Sequence, residues 1–317
     1  MNLRTPRRRL LAIPAALCLT FGAAAEPVLP EDPAWLGCWR STNGAQTIWF
    51  ESTRCGWLRD GTPSFYRVDH GSDRALLESW AQFTELQLRI GGERLSVTGP
   101  DGALQFERMS QVPRVLRMEP YELPEEVDVD PETVANLLEE LRERRQEDQR
   151  VRKDLATGGT TADPSNMLRV DTENTEFLRT LIDELGWIDA TRFGSEASDA
   201  AFLLVQHSGD VRLMRTALPR IEADVKAGRL DGQAFALLHD RCQLSLGYLQ
   251  RYGSQIGRLA DGTSVWMPCE NPEGVDAQRQ AMGMGPLADY LAYFTSDDGT
   301  PVQPLRSQTD LRAQKSR

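Results

Sequence analysis

Four stretches of helical period in the second half of this 317-residue sequence place polar residues on stripes that should be apolar. Val134, Leu138 and Leu141 step by four and three, and continuing the stripe reaches Arg145, Asp148, Arg152 and Leu155. Asp148 and Arg152 stand i,i+4 and can pair, with Gln149 beside them. Phe177, Leu178, Leu181 and Leu185 form a second stripe, on which Asn174 lies. Ala200, Leu203 and Leu204 lead to His207, which Gln206 precedes, and Ala234, Leu237 and Leu238 lead to Arg241, beside Asp240. Turning such groups inward costs several kcal/mol per unpaired charge.

Three functions fit this pattern. A polar pocket could bind a small ligand or a peptide, lined by Asp148, Gln149, Arg152, Asn174, Gln206 and Arg241. A hydrolase-type enzyme could use His207 as acid or base near neutral pH, with Asp240 as its catalytic partner and Arg152 and Arg241 stabilising negative charge. A structural protein would use the same groups only to satisfy one another between helices. Gln250, Tyr252 and Gln255 are further candidates for ligand binding. If they form a strand, alternation sends Gln250 and Tyr252 to one face and Gln255 to the other, unless Gly253 marks a bulge.

Several familiar chemistries lack their residues. There is no phosphate-binding P-loop, no dinucleotide-type glycine run after a strand, and no Gly-x-Ser-x-Gly. No Cys-x-x-Cys occurs and the Cys/His spacing matches no zinc site, so neither a metal nor a cofactor is expected.

The elements that must position these residues fall into two halves. From Trp35 to Met118 the period is two: Leu86, Leu88 and Ile90 alternate with Glu85, Gln87 and Arg89, and Leu95/Val97 and Leu104/Phe106 repeat the pattern. Turns at Asp60-Gly61, His70-Gly71, Gly91-Gly92 and Pro100-Asp101-Gly102 cut the run into about eight short strands, which predicts a small antiparallel β-barrel. An acidic linker, 119–130, follows. From Glu119 to Glu132 it carries seven acids and no base. With Asp130 as cap and Pro131 at the first position, a helix is predicted over 131–156, then others near 172–185, 196–207, 211–227 and 232–247. Asp171 and Ser195 stand at N-cap positions in this reading. A hairpin is predicted from Leu249 to Met267, turning at Asp261-Gly262, then a helical stretch over 272–293 and a disordered tail, 294–317. The fold class is therefore α+β in two domains: a β-barrel-like domain over 34–118 and a mainly helical one, with a β-hairpin, over 131–293.

A formal net charge of −11 argues against nucleic acid or anionic lipid as the main partner. Residues 1–25 read as a signal peptide. Arg4, Arg7, Arg8 and Arg9 precede a short apolar stretch, and Ala23-Ala24-Ala25 offers a cleavage site before Glu26. Its removal leaves 32 basic against 47 acidic residues, a net −15, and no segment long and apolar enough to span a membrane. The expected location is the periplasm or outside the cell, and the expected partner a small molecule or an envelope protein. Four cysteines remain, two in each half. Disulfides Cys38–Cys55 and Cys242–Cys269 are the expected pairings in an exported chain.

Two resemblances follow from ordered motifs. Asp148-Gln149 with Arg152, Asp171 with Asn174, Gly186-Trp187, Gln206-His207, Asp240-Arg241, the run Gln250 to Gln255, and Val275-Asp276, Arg279, Pro286-Leu287 and Tyr290 together resemble an uncharacterised bacterial domain-of-unknown-function family, numbered 6624. The resemblance covers about 131–293. The chain departs from the family's pattern at Ile188, at Ser208-Gly209-Asp210 and at Ser254. The family implies a domain boundary and carries no established activity. Gly37-Cys38-Trp39 on the first strand is similar to the lipocalin signature, which implies a barrel closed at one end by the Trp.

Overall fold

The computed structural model describes residues 34–70, 73–125, 127–158, 162–296 and 299–305. The expected signal peptide and residues 306–317 of the expected tail lie outside the described residues.

Eight strands close into a barrel: β1 (Gly37–Ser41), β2 (Gln46–Phe50), β3 (Arg54–Arg59), β4 (Thr62–His70), β5 (Arg74–Ser79), β6 (Gln82–Gly91), β7 (Arg94–Gly99) and β8 (Gly102–Met109). Each pairs antiparallel with the next, and β8 returns to β1 with Cys38 opposite Met109 and Ser41 opposite Phe106. Closure leaves no free edge on short strands that would otherwise expose one. The predicted alternation holds along β6, where Leu86 and Leu88 are buried between exposed Glu85, Gln87 and Arg89. It ends at Ile90, which is 39% exposed at the rim. Trp35, Trp39, Ile48, Phe50, Leu95 and Phe106 fill the interior. The barrel is thus a packed core with little free volume below its mouth.

After α1 (Arg114–Arg117), the acidic segment forms no helix, as its prolines and self-repulsion require. It is nevertheless pinned down. The Tyr121 hydroxyl donates to Asp210 (2.9 Å), its amide donates to Thr216 (2.8 Å), and the Arg212 side chain donates to the Glu119 carbonyl (2.8 Å). The helices are α2 (Pro131–Thr157), α3 (Pro164–Leu185), α4 (Ala190–Phe193), α5 (Ser195–His207), α6 (Val211–Lys226), α7 (Gly232–Ser245), α8 (Val275–Ala281) and α9 (Leu287–Leu291). Strands β9 (Ile256–Arg258) and β10 (Ser264–Trp266) make the predicted hairpin, shorter than expected.

Four expectations need correction. Helix α3 begins eight residues early, capped by Asp163 with Pro164 at its first position, so Asp171 lies inside the helix. The cap of α5 is Gly194 rather than Ser195. The stretch 272–293 is broken between α8 and α9 by Gly283, which has φ +70°, and by Pro286. The described part of the tail is ordered: β11 (Gln303–Pro304) pairs parallel with β10, and Ser296 is buried with its hydroxyl accepting from the Ser264 amide.

The disulfides are a fifth correction. All four described cysteines are free and buried. Strand β2 lies between β1 and β3, so Cys38 and Cys55 stand about two strand spacings, roughly 9.5 Å, apart. A disulfide tolerates Cα atoms no more than about 7 Å apart. Cys242 packs in the main helical core and Cys269 in a separate cluster with Val275 and Leu287. Burial pushes the thiols up, to about 11 for Cys38 and about 12 for Cys242, so neither is a ready nucleophile.

The barrel and the helices share packing. Arg54 is buried among the rings of Trp49, Phe65 and Tyr248, at 4.9, 5.0 and 4.9 Å, and donates to the Tyr248 hydroxyl. Gly247, with φ +81°, lets the chain pass so close to β4 that a Cβ there would meet the Tyr66 carbonyl oxygen at 2.5 Å. Ala81, in the β5–β6 turn, packs with Leu244, Val265 and Met267. The segment that leaves α7 toward Gln250 is therefore held against the barrel wall.

Candidate functional site

Helices α2, α3, α5 and α7 bring polar side chains together as the interrupted stripes predict, but with different partners. Asp148 on α2 has no exposed surface, and its two carboxylate oxygens lie 3.0 and 2.9 Å from His207 Nδ1 at the end of α5. Gln149 Nε2 donates to the same carboxylate at 2.8 Å. Burial pushes the Asp148 carboxyl up, but the His207 hydrogen bonds and charge, with Gln149 and Arg152, outweigh it and hold it below the usual range. Asp148 is thus the ionised partner of His207.

Arg152, one turn along α2, donates through Nη2 to Asp171 on α3 at 2.7 Å and lies 3.5 Å from Asp148. Its Nε stands 3.0 Å from His207 Nδ1, the atom that also faces Asp148. A single ring nitrogen cannot accept from the guanidinium while donating to the carboxylate. Two anionic oxygens within 3.0 Å would repel a lone pair, so the proton belongs on Nδ1. Two guanidinium nitrogens of Arg152 then lack acceptors: Nε, and Nη1, which is buried without a partner. Burial raises the Asp171 carboxyl despite Arg152 beside it.

Arg241 on α7 completes the cluster. Its Nη1 donates to the Gln206 carbonyl at 2.8 Å and its Nε to Gln255 Oε1 at 3.2 Å, both neutral acceptors. No carboxylate lies within 4.0 Å of it among the described residues. Burial and the nearby charge of Arg152 lower its affinity for its own proton, with only partial relief from Tyr290 and Asp171. The Arg152 charge thus acts on Arg241, while both carboxylates of the cluster, Asp148 and Asp171, are paired with Arg152 and neither reaches Arg241.

Asp240, the expected catalytic partner of His207, does something else. It is fully buried and accepts the backbone N–H groups of Arg251 (2.8 Å), Tyr252 (3.1 Å) and Ser254 (3.0 Å), and the Ser254 hydroxyl (3.0 Å). Its lone pairs are spent on shaping the loop 250–255, which is not a strand. Gln250, also fully buried, bonds the Met267 carbonyl (2.6 Å) and the Gln255 amide (2.9 Å) from within that loop. Tyr252 packs against Phe235 and His239, and its carbonyl accepts from Arg279 at 3.0 Å. Of this group, only Gln255 reaches the arginine cluster.

Asn174 is also apart. Its Oδ1 accepts from Arg144, eight residues before Arg152 and so about 12 Å back along the helix. Gln206 contributes its carbonyl to Arg241. Sequence patterning puts Asp171 at a helix cap and gives Tyr290 no role, yet the Tyr290 hydroxyl donates to the Ser254 carbonyl (2.8 Å) beside the site. The Asp163-Pro164 pair was the signal that could have moved the start of α3 and put Asp171 on its inner face.

The site is therefore His207, with Asp148 on Nδ1 and Nε2 left without a partner among the described residues, flanked by Arg152, Asp171, Arg241 and Gln255. His207 keeps 15% of its side-chain surface and Arg152 keeps 22%, so the cluster reaches solvent. No curated protein matches the chain. The model of the Family of unknown function (DUF6624) matches residues 135–303, more than half of the chain and the whole of the region that carries this cluster. The chain belongs to that family.

Proposed function

We propose that this is an exported binding protein whose helical half receives a small oxyanion, carboxylate or phosphate in character, between Arg152 and Arg241. The observation that carries the reading is Arg241. A half-buried guanidinium that bonds only neutral oxygens is costly to keep, and a structural network would have given it a carboxylate. A ligand oxyanion would supply the missing charge, and the guanidinium fork suits two-point recognition of it. Export rests on the leader-like residues 1–25. The four unpaired cysteines give it no support.

A second reading, acid–base catalysis, is favoured by one feature. Asp148 grips Nδ1 of His207 and frees Nε2, the arrangement that orients a general base. No hydroxyl or thiol nucleophile stands beside that ring in the described contacts, so any such chemistry would act on water or on a group of the bound anion.

The test is thermal unfolding of the mature chain, Glu26 onward, with inorganic phosphate, sulfate and malonate at constant ionic strength. One of these anions should raise the midpoint of the wild type and leave that of Arg241→Gln unmoved. Equal response of the two proteins, or none in either, would dismiss the oxyanion site.

A further inference from the structure

We propose that a cleft between the outer wall of the barrel and the helical half receives an extended peptide, which adds itself to β4 as a short strand. Closure gives every strand of the barrel two neighbours, but not along its whole length. Strand β4 has nine residues and β5 has six. Only Arg67 to His70 of β4 pair with β5, and the last pair toward the β5–β6 turn is Arg67 with Glu78. On its other side β4 pairs with β3 from Thr62 to Arg67. Residues 62–66 therefore have a strand on one side alone.

The phase of the ladder says which groups this leaves over. The two-residue turn Asp60-Gly61 makes Arg59 and Thr62 a hydrogen-bonded pair. The Val68 amide, which donates to the Thr53 carbonyl at 2.8 Å, keeps the same phase. Alternation then turns the Pro63 carbonyl, and both the amide and the carbonyl of Phe65, away from β3. Among the described residues no turn or loop backbone bonds them. Phe65 is 5% exposed, and an unpaired main chain at such a position is costly. An added strand would pair it.

The space for that strand exists. Pro63 and Phe65 line a cleft of about 540 Å³, whose other walls include Trp80, Met118, Arg179 and Val211. No lining residue belongs to the arginine cluster of the helical half. Trp80 has φ +49° and Ala81 φ +64°, in a two-residue turn where asparagine and glycine are the usual residues. Docking holds this strained turn: the Ala81 amide donates to Glu78 at 2.9 Å and its methyl packs with Leu244, Val265 and Met267. The strain keeps the indole at the cleft, and strain of this kind collects at ligand clamps. Arg179, half exposed, has one carboxylate within reach, Asp210, which also serves the Tyr121 hydroxyl and the amides of Arg212 and Leu213. Its spare donors suit a carboxylate of the peptide. A second copy of this chain does not fit as the occupant, because the free edge is recessed between two walls. A single extended chain enters such a recess, over at most five residues or roughly 16 Å.

The experiment is a nitrogen-15 NMR titration of the mature protein with positional-scanning pools of acetylated tetrapeptides ending in glutamate. The best member is then resynthesised with each amide N-methylated in turn. A saturable shift of the Phe65 amide, with slowed hydrogen exchange, is expected. N-methylation should weaken binding at least tenfold at alternate residues and less than threefold between them, because only alternate amides face β4. Replacing the last residue by glutamine amide should weaken binding at least threefold. Trp80→Asn, which suits the turn, should keep the thermal midpoint and bind at least fivefold weaker. No pool that shifts the Phe65 amide, N-methyl sensitivity without alternation, equal affinity for the glutamine amide, or full affinity in Trp80→Asn would each overturn the proposal.

Discussion

Both carboxylate oxygens of Asp148 lie within 3.0 Å of Nδ1 of His207, joining the middle of α2 to the last residue of α5. This contact sets the tautomer of the histidine and the direction in which its other nitrogen works. It also leaves Arg152 to Asp171, and leaves part of the Arg152 guanidinium unfilled.

The tautomer can be read directly. Nitrogen-15 NMR of the neutral ring should show the proton on Nδ1 in the wild type. In Asp148→Asn the ring can accept from the new amide, and the fraction protonated at Nε2 should rise severalfold. Removal of the side chain in Asp148→Ala leaves Arg152 and His207 without their buried partner and should cost about 3–5 kcal/mol of stability. A proton on Nε2 already in the wild type would show that Arg152, and not Asp148, governs the ring.

Asp240 is assigned to architecture. Asp240→Ala strands the amides of Arg251, Tyr252 and Ser254 in a buried loop, at about 1–3 kcal/mol for each unsatisfied group. Chemical denaturation should show a loss of several kcal/mol. A variant within about 1 kcal/mol of the wild type would return Asp240 to the site.

Asp148 and Asp171 predict opposite pH effects. The folded value of Asp148 is lowered, so its contribution is complete above the unfolded value of about 3.9 and is lost as pH falls through the folded value. Asp171 is raised by burial, so its ionisation removes stability as pH rises from about 4 through the folded value. In urea unfolding from pH 3 to 7, the stability of Asp171→Asn relative to wild type should therefore improve with rising pH, and that of Asp148→Asn should worsen. The same sign for both would contradict the local electrostatics.

How much of this was legible in the sequence depends on whether the signal was local. The barrel was, because alternation such as Leu86/Leu88 and the turns at Gly61 and Gly102 are written within a few residues. So was the start of α2 at Asp130-Pro131. The same pair at Asp163-Pro164 is an equally local signal for the start of α3, and it puts Asp171 inside the helix and not at its cap. The partner of His207 was not legible. Asp148 and Asp240 both sit on apolar stripes, and only the packing of α2 on α5 decides between them. The loop 250–255 looked like a strand because its shape is imposed by Asp240, a residue on the preceding helix. Counting two cysteines per half could not reveal that β2 separates Cys38 from Cys55.

The central claim is that Arg241 holds its charge for a ligand. Its most direct test is calorimetric titration of phosphate into the wild type and Arg241→Gln at pH 7.5, together with the unfolding free energy of each without ligand. One site in the wild type, an affinity at least tenfold weaker in the variant, and a variant as stable as the wild type or more so are the predicted results. A strongly destabilised variant, with no heat of binding in the wild type, would mean that Arg241 serves the fold, and would contradict the account.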